Sequence, residues 1–478
     1  MVRAIAQRFG MPDATDPGQP GSALPSRYWL LQAIALGSTL APINSTMIAV
    51  ALPNIQTDLG VTVPQTAWLV TLYLVAMAVG QPIGGRLGDL FGRRRVYLIG
   101  LIWFGIASGA CAFAPNLEVL IVFRTQQALA GALVFPNGVA ILRQAVPAER
   151  RGSAFGMVGM VTALAAAVGP PIGGVLVHAF DWRAIFWVNL PIIVLAFWLN
   201  WRYLPGHETF AQQRPALDKL GSLLFALTLG AFIVIPTTIR SDRLLVGLAA
   251  VLVSVVSGIG FVLWEMRNAH PLVDIRLFAN QAFSAACASI ALSNLVMYTT
   301  LLALPLYMDH VRGDNEQMIG LTLMALSALG AIWGLLGGRI TDIRGKWLPA
   351  VAGAIALFIG AMLLAGTFDG DPFWPAIGAL AIMGTGLGVQ SAAVQTAAVE
   401  AAPVAKTGSA AGVYSTSRYM GSVIGATILA IVFASDPKPG DGTTFRYLFI
   451  GLAVAALAGI FVNSRIASRV RVVEIRQF

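Results

Sequence analysis

The sequence predicts an all-α integral membrane protein of fourteen transmembrane helices, built as two pseudo-symmetric six-helix bundles with two extra helices, 7 and 8, between them. Three observations carry this expectation. Of 478 residues, 57% are hydrophobic and 11% are charged, against the roughly one-quarter charged residues of a soluble globular chain. Fourteen separate apolar stretches can be drawn, each near the roughly 20 residues that cross a hydrocarbon core of about 30 Å. A lipid-exposed backbone must satisfy its own hydrogen bonds, so such stretches are helices. Finally, GRLGDLFGRRR at 85–95 and GRITDIRGK at 338–346 share Gly, Asp and Gly at matched spacing, followed by basic residues.

Taken in order, residues 1–27 are polar, rich in Pro and Gly, and lack the apolar run of a cleaved secretory signal; they read as a disordered cytoplasmic tail. Residues 28–202 hold six apolar stretches and form the N-terminal bundle. Residues 203–280 form a linker with the two extra helices, near 218–237 and 244–264. Residues 281–465 hold six more stretches and form the C-terminal bundle, and 466–478 are a second cytoplasmic tail. Alternating the helices across a bilayer puts most of the 31 Lys and Arg on the side of the N-terminus, which the positive-inside rule makes the cytoplasm. This distribution accounts for the net charge of +9 without nucleic acid. Cys111 and Cys287 lie inside apolar runs, where a thiol is a small hydrophobe, so no disulfide is expected. The 22 carboxylates avoid the apolar segments. There is no G-x-x-x-x-G-K-[ST] phosphate loop, no H-E-x-x-H and no Cys/His cluster at zinc spacing. No cofactor, no metal and no enzymatic activity are expected.

The 85–95 segment resembles the signature loop between helices 2 and 3 of the major facilitator superfamily. Gly85 and Gly92 suit close approach and chain reversal, and Asp89 suits a positive helix N-terminus or an Arg of the other half. The resemblance implies a cytoplasmic gate of Gly85, Asp89, Gly92, Arg93 and Arg143, with Asp342 and Arg344 in the pseudo-symmetric place. Asp89 is expected near Gly408 and Arg143, and Asp342 near Arg151. The plainer reading of Arg93, Arg94 and Arg95 is attraction to anionic lipid. LIVFRTQQALAG at 120–131 is similar to the family's second motif, with Arg124 and Gln127 in place. AAAVGPPIGG at 165–174 is similar to its antiporter motif, where Gly169, Gly173 and Gly174 allow tight packing and Pro170 weakens the helix so that it can bend. WRAIFWVNLP at 182–191 and GSAAGVYSTSRYMGSVIGA at 408–426 look like the fourteen-helix drug:proton antiporter branch.

The branch usually carries Asp in helix 1 where this chain has Asn44, and an amide cannot titrate near neutral pH. Arg124 and Arg418 are then the ionisable residues placed well inside helices, and a buried cation calls for a partner, which a bound anion could supply. The expected substrate and coupling residues are Asn44, Arg124, Gln127, Asn137, Asn294, Tyr298, Gln390, Tyr414 and Arg418, with Tyr73 among further lining groups. Glu118, Asp309 and Glu400 are shallower proton candidates, and each also reads plainly as a solvated helix end. The resemblance implies secondary active export of small amphipathic compounds by alternating access, driven by protons; the alternative is a lipid flippase on the same scaffold. A monomer in the bacterial inner membrane is expected, in contact with membrane lipids.

Overall fold

The computed structural model describes residues 24–204, 218–239, 244–268, 271–312, 316–367, 374–432 and 442–466. The tails at 1–23 and 467–478, and residues 205–217, 240–243 and 269–270 of the expected linker, lie outside the described residues. The N-terminal half contains α1 (Leu24–Leu59), α2 (Val63–Phe91), α3 (Arg93–Ala112), α4 (Leu117–Ala145), α5 (Arg151–Ala179) and α6 (Asn189–Tyr203). A hairpin follows, α7 (Lys219–Ile239) and α8 (Leu244–Arg267). The C-terminal half contains α9 (Gln281–Tyr307), α10 (Glu316–Arg344), α11 (Trp347–Ala365), α12 (Trp374–Glu400), α13 (Thr407–Val432) and α14 (Thr443–Asn463). No strand occurs among the described residues. Helix α1 starts at Leu24, four residues before the expected boundary, because Pro25 fits a first helical turn.

Eleven helices among the described residues are long and apolar enough to span a membrane, and twelve if the bent α1 is one span. The expected count of fourteen spans is not reached on this test. Helix α7 has a described apolar stretch only over Lys219–Phe232. Helix α13 spends its length on Ser409, Ser415, Thr416, Ser417, Arg418 and Ser422, which lower its hydropathy.

The helices pair by one scheme used twice. In the first half α1 packs on α4, α5 and α6, α4 on α2 and α3, and α3 on α6. Shifting every helix by eight gives the second half: α9 on α12, α13 and α14, α12 on α10 and α11, and α11 on α14. Across the halves, α5 packs on α10 and α12, and its counterpart α13 packs on α2 and α4. The α7–α8 hairpin docks through α7 on α2 and α13. Its α8 turns large apolar residues outward, among them Leu245, Leu252, Val256 and Ile259, as a surface solvated by hydrocarbon requires.

Two expected features fall elsewhere. The 85–95 motif is hardly a loop: α2 runs through Gly85 and Asp89 to Phe91, α3 begins at Arg93, and Gly92 alone reverses the chain at φ 95°. Gly345 does the same after α10 at φ 80°. Such positive φ values exclude most side chains, so one glycine suffices where a longer loop was expected. The bend expected in α5 at Pro170 is also absent as a break, since α5 passes as one span. The sharp bend, 58°, lies in α1, between Trp29–Ile48 and Val50–Leu59. The glycines of the α5 motif instead seat it on α1: a Cβ at Gly169 would strike Thr46, and one at Gly173 would press on the Met47 backbone.

Candidate functional site

The first half encloses a buried polar cluster. Arg124 of α4 is 1% exposed and donates through Nη1 to Asn44 Oδ1 of α1 and, at 2.6 Å, to Gln127 Oε1. Its Nη2 donates to the Asn44 backbone oxygen at 3.2 Å. The guanidinium lies over the Tyr73 ring of α2, 4.2 Å from the centroid. Gln127 Nε2 donates to Ser108 Oγ of α3 at 2.8 Å, and Asn189 of α6 donates to the same oxygen at 3.0 Å. Five helices therefore meet on one neutral-plus-cation network, with no carboxylate in salt-bridge range of Arg124 among the described residues. Ser108 and Asn189 escaped sequence reasoning because a single Ser or Asn in an apolar stretch is the commonest kind of helix-packing residue.

Arg418 of α13 occupies a different place. It lines a cavity between α13 and the first half, together with Ser38, Pro42, Gln81, Thr162 and Ser415. The cavity volume is about 50 Å³, far below the usual range for occupied small-molecule sites of about 300–1,000 Å³, so it would have to widen to admit a substrate. The Arg418 guanidinium sits 5.2 Å from the Phe135 ring centroid and 5.6 Å from that of Tyr414. No carboxylate is in salt-bridge range of it among the described residues. The expected grouping of Arg124 with Arg418 in one substrate site needs correction: Arg124 is not part of the cavity wall. Tyr73 separates them, with its ring on Arg124 and its hydrophobic neighbours Ala41, Met77 and Tyr419 lining the cavity.

Several other expected site residues brace helices. Asn137 donates to Gly84 O of α2 at 2.9 Å and to Leu133 O at 2.8 Å. Asn294 is bonded to Ile290 O of its own helix. Gln390 donates to Ser293 of α9 and accepts from Asn463 of α14. Tyr414 is buried under Arg418, and Tyr298 is half-buried outside the cavity wall. None of the three amides points into the cavity, because each satisfies a neighbouring backbone or side chain instead.

The two motif repeats lie together at one end of the bundle. Asp89 accepts from Gly408 N at 3.1 Å and Ser409 N at 2.9 Å, the first turn of α13. It also pairs with Arg93 at 2.9 Å. Arg93 is itself buried and donates to Val404 O at 2.8 Å, so it is not turned to lipid. Arg143 donates to Thr407 Oγ1 at 2.6 Å. In the second half Asp342 accepts from Gly152 N at 2.7 Å and Ser153 N at 2.8 Å, the first turn of α5, and from the Ser153 hydroxyl. Arg151 pairs with Glu400 at 3.2 Å, as does Lys346 at 2.7 Å. Glu400 is thus bound in ion pairs and not a solvated helix end, while Glu118 is exposed. Arg344, expected in the gate, is exposed, and Lys346 takes the second-half ion pair. The side chain of Asp309 lies outside the described residues.

The close approach depends on glycine twice over. A Cβ at Gly85 would lie 2.0 Å from Gly408 O, and one at Gly338 would lie 2.4 Å from Gly152 O. Each obstacle is backbone, which cannot step aside as a side chain can. Overpacking of this kind costs about 1–3 kcal/mol, or roughly 5–150-fold in a two-state balance. Gly85→Ala is therefore expected to lower the population with this end closed by that factor, read as a longer distance between spin labels at the exposed Phe91 and Val404. An unchanged distance distribution would mean that the end does not close through this contact.

This geometry has known counterparts. A model of the Major Facilitator Superfamily matches residues 34–426. The uncharacterized MFS-type transporter YvkA of Bacillus subtilis (strain 168) is 34% identical over 448 residues, covering 92% of this chain and 96% of the relative. The multidrug resistance protein Stp of Mycobacterium tuberculosis (strain CDC 1551 / Oshkosh) is 31% identical over 417 residues, covering 86% of this chain and 77% of the relative. Among solved structures, the human organic anion transporter MFSD10 (TETRAN) superposes with a TM-score of 0.67 at 15% identity, covering 93% of this chain and all of that one; at that identity the likeness speaks for the fold alone. Two six-helix sets packed by one scheme, latched by a repeated Gly–Asp motif and matched over most of their length, leave one conclusion: the chain is a multi-pass membrane transporter of the major facilitator superfamily.

Proposed function

We propose that this protein is a secondary active exporter of small amphipathic compounds, moving them out of the cytoplasm by alternating access. The observation that carries this is Arg418, a cation on the wall of a cavity between the halves with aromatic rings but, among the described residues, no carboxylate beside it. Such a wall favours amphiphiles that bring their own negative charge, anionic or zwitterionic, since a buried cation gains most from a counter-ion. Relatives named for multidrug resistance and for methylenomycin A resistance support the outward direction. In this reading residues 28–202 and 281–465 are the rocking halves, the motif end faces the cytoplasm and is closed, and both termini are cytoplasmic. The protein acts as a monomer in the bacterial inner membrane.

Protons are the proposed driving ion, with a modified coupling site. Asn44 offers Arg124 a neutral oxygen, so this pair holds its hydrogen bond at every physiological pH and releases no proton. Placing Asp at 44 would set a carboxylate directly on a guanidinium, a pair that strengthens the local bond and titrates. Transport into proteoliposomes is the test, across carboxylate-bearing and cationic compounds, with and without a pH gradient, for the native chain and Asn44→Asp. Asn44→Asp is expected to steepen the pH dependence of transport. Strong selectivity for cations would sink the substrate reading, and movement of fluorescent lipid without any gradient would favour a flippase.

A further inference from the structure

At the motif end, the α7–α8 hairpin buries two carboxylates that the transport cycle above does not use. Asp218 is 8% exposed and Glu265 is 2% exposed. Asp218 is well served: it accepts from Gly221 N at 2.8 Å, Asn268 Nδ2 at 2.6 Å and Trp264 Nε1 at 3.0 Å. Glu265 is not. Both of its oxygens lack a hydrogen-bond partner among the described residues, although the backbone N–H groups of Leu272 and Val273 lie nearby. Asp218 Oδ2 and Glu265 Oε1 are each 2.5 Å from the point that a Cβ on Gly221 would occupy. The two carboxylates therefore face each other across that glycine, within about 5 Å. Neither carboxylate lies deep in an apolar segment, yet packing of the hairpin ends buries the pair.

Among the described residues no cation acts on Glu265, and the half-buried Arg86 of α2 is not one of the charges that reach it. The charged groups acting on Glu265 are Asp218 and, from the following loop, Asp274, both negative. Lys219, Arg267 and Arg276 are exposed, and Lys406 is bound to Asp274 at 2.7 Å. The neighbouring faces of α2 and α13 contribute apolar residues, Ile83, Ala410 and Val413. His270 lies outside the described residues. Two carboxylates so placed cannot both ionise without a large electrostatic cost, and one retained proton removes it.

We propose that Glu265, facing Asp218 across Gly221, is a proton-binding site whose proton fastens the α7–α8 hairpin to the first turn of α13. The fastening is visible: Ser409 Oγ donates to Leu272 O at 3.2 Å, Lys406 holds Asp274, and the Ser409 N–H is one of the two that bind Asp89. The step is a single acid–base exchange in which the carboxyl O–H gives its proton to water on that side. The two anions then repel across Gly221, and loop 271–276 withdraws from α13. A proton thus favours the closed end, and its loss loosens it.

The test uses the full chain in lipid nanodiscs, without substrate or gradient, so that its outcome is independent of the export reading. Infrared difference spectra between acidic and alkaline pH should contain a protonated-carboxyl band that persists at neutral pH and is lost in both Glu265→Gln and Asp218→Asn. Hydrogen exchange at 272–276 and 407–411, corrected for the intrinsic chemical rate, should rise at least tenfold from acidic to alkaline pH in the native chain and stay flat in Glu265→Gln. Should Glu265→Gln fail to fold, Asp218→Asn carries both readouts. A band that survives in the variants, a pH response abolished by His270→Asn instead, or stabilisation by magnesium or sodium salts that Glu265→Gln removes would each overturn the proposal.

Discussion

Arg124→Met is expected to reduce transport by more than tenfold while leaving thermal stability nearly unchanged. The two halves of that expectation come from opposite entries in the same cluster. Removing the guanidinium strands the Asn44 and Gln127 oxygens that it now satisfies, at about 1–3 kcal/mol for each unsatisfied buried group. It also removes a fully desolvated cation with no carboxylate beside it among the described residues, and replacing buried ionic groups by apolar ones of similar volume is neutral or stabilising by about 1–4 kcal/mol. These terms offset, so stability barely moves. Transport has no such compensation, because the network that joins α1 to α3, α4 and α6 passes through this one side chain. Uptake assays and thermal unfolding on the same preparation separate the two effects; wild-type transport in Arg124→Met would show the cluster to be inert packing.

Asp89→Asn is expected to shift the conformational balance toward the open motif end more strongly than Asp342→Asn. Both carboxylates accept two backbone N–H groups at a helix N-terminus, where a negative charge is favoured. Asp89 additionally neutralises Arg93, whose side chain is 7% exposed. The first substitution therefore strands a buried cation, for about 3–5 kcal/mol, a loss of over 100-fold in the closed population. The second loses charge-assisted hydrogen bonds to neutral donors, for about 1.5–3 kcal/mol, and Ser153 continues to donate its hydroxyl. Spin-label distances across the motif end, measured in both variants, rank them. Equal shifts would assign Arg93 no part in holding the end shut.

The long-range plan was legible because it rests on signals that bilayers and backbones enforce. Apolar length fixed where helices lie, and the repeated Gly–Asp–Gly spacing pointed to the contacts that Asp89 and Asp342 make with α13 and α5. Side-chain direction was not legible. Asn137, Asn294 and Gln390 read the same in sequence whether they face a void or a neighbouring helix, and here they face helices. Gly92 and Gly345 read as parts of loops because sequence does not reveal that one residue of positive φ can do the work of several. The burial of Asp218 against Glu265 was not legible for a related reason. Each carboxylate sits at a helix end, where it looks solvated, and only the docking of α7 against α2 and α13 buries it.

One rod connects the two regions in which this protein has most at stake. Gly408, at the latch, and Arg418, on the cavity wall, are ten residues apart on α13, about 15 Å along a continuous helix. A molecule that draws Arg418 toward itself therefore loads the same beam whose far tip is clamped by Asp89. Occupancy and release are then mechanically one event, conveyed by stiffness through three helical turns and not relayed from residue to residue.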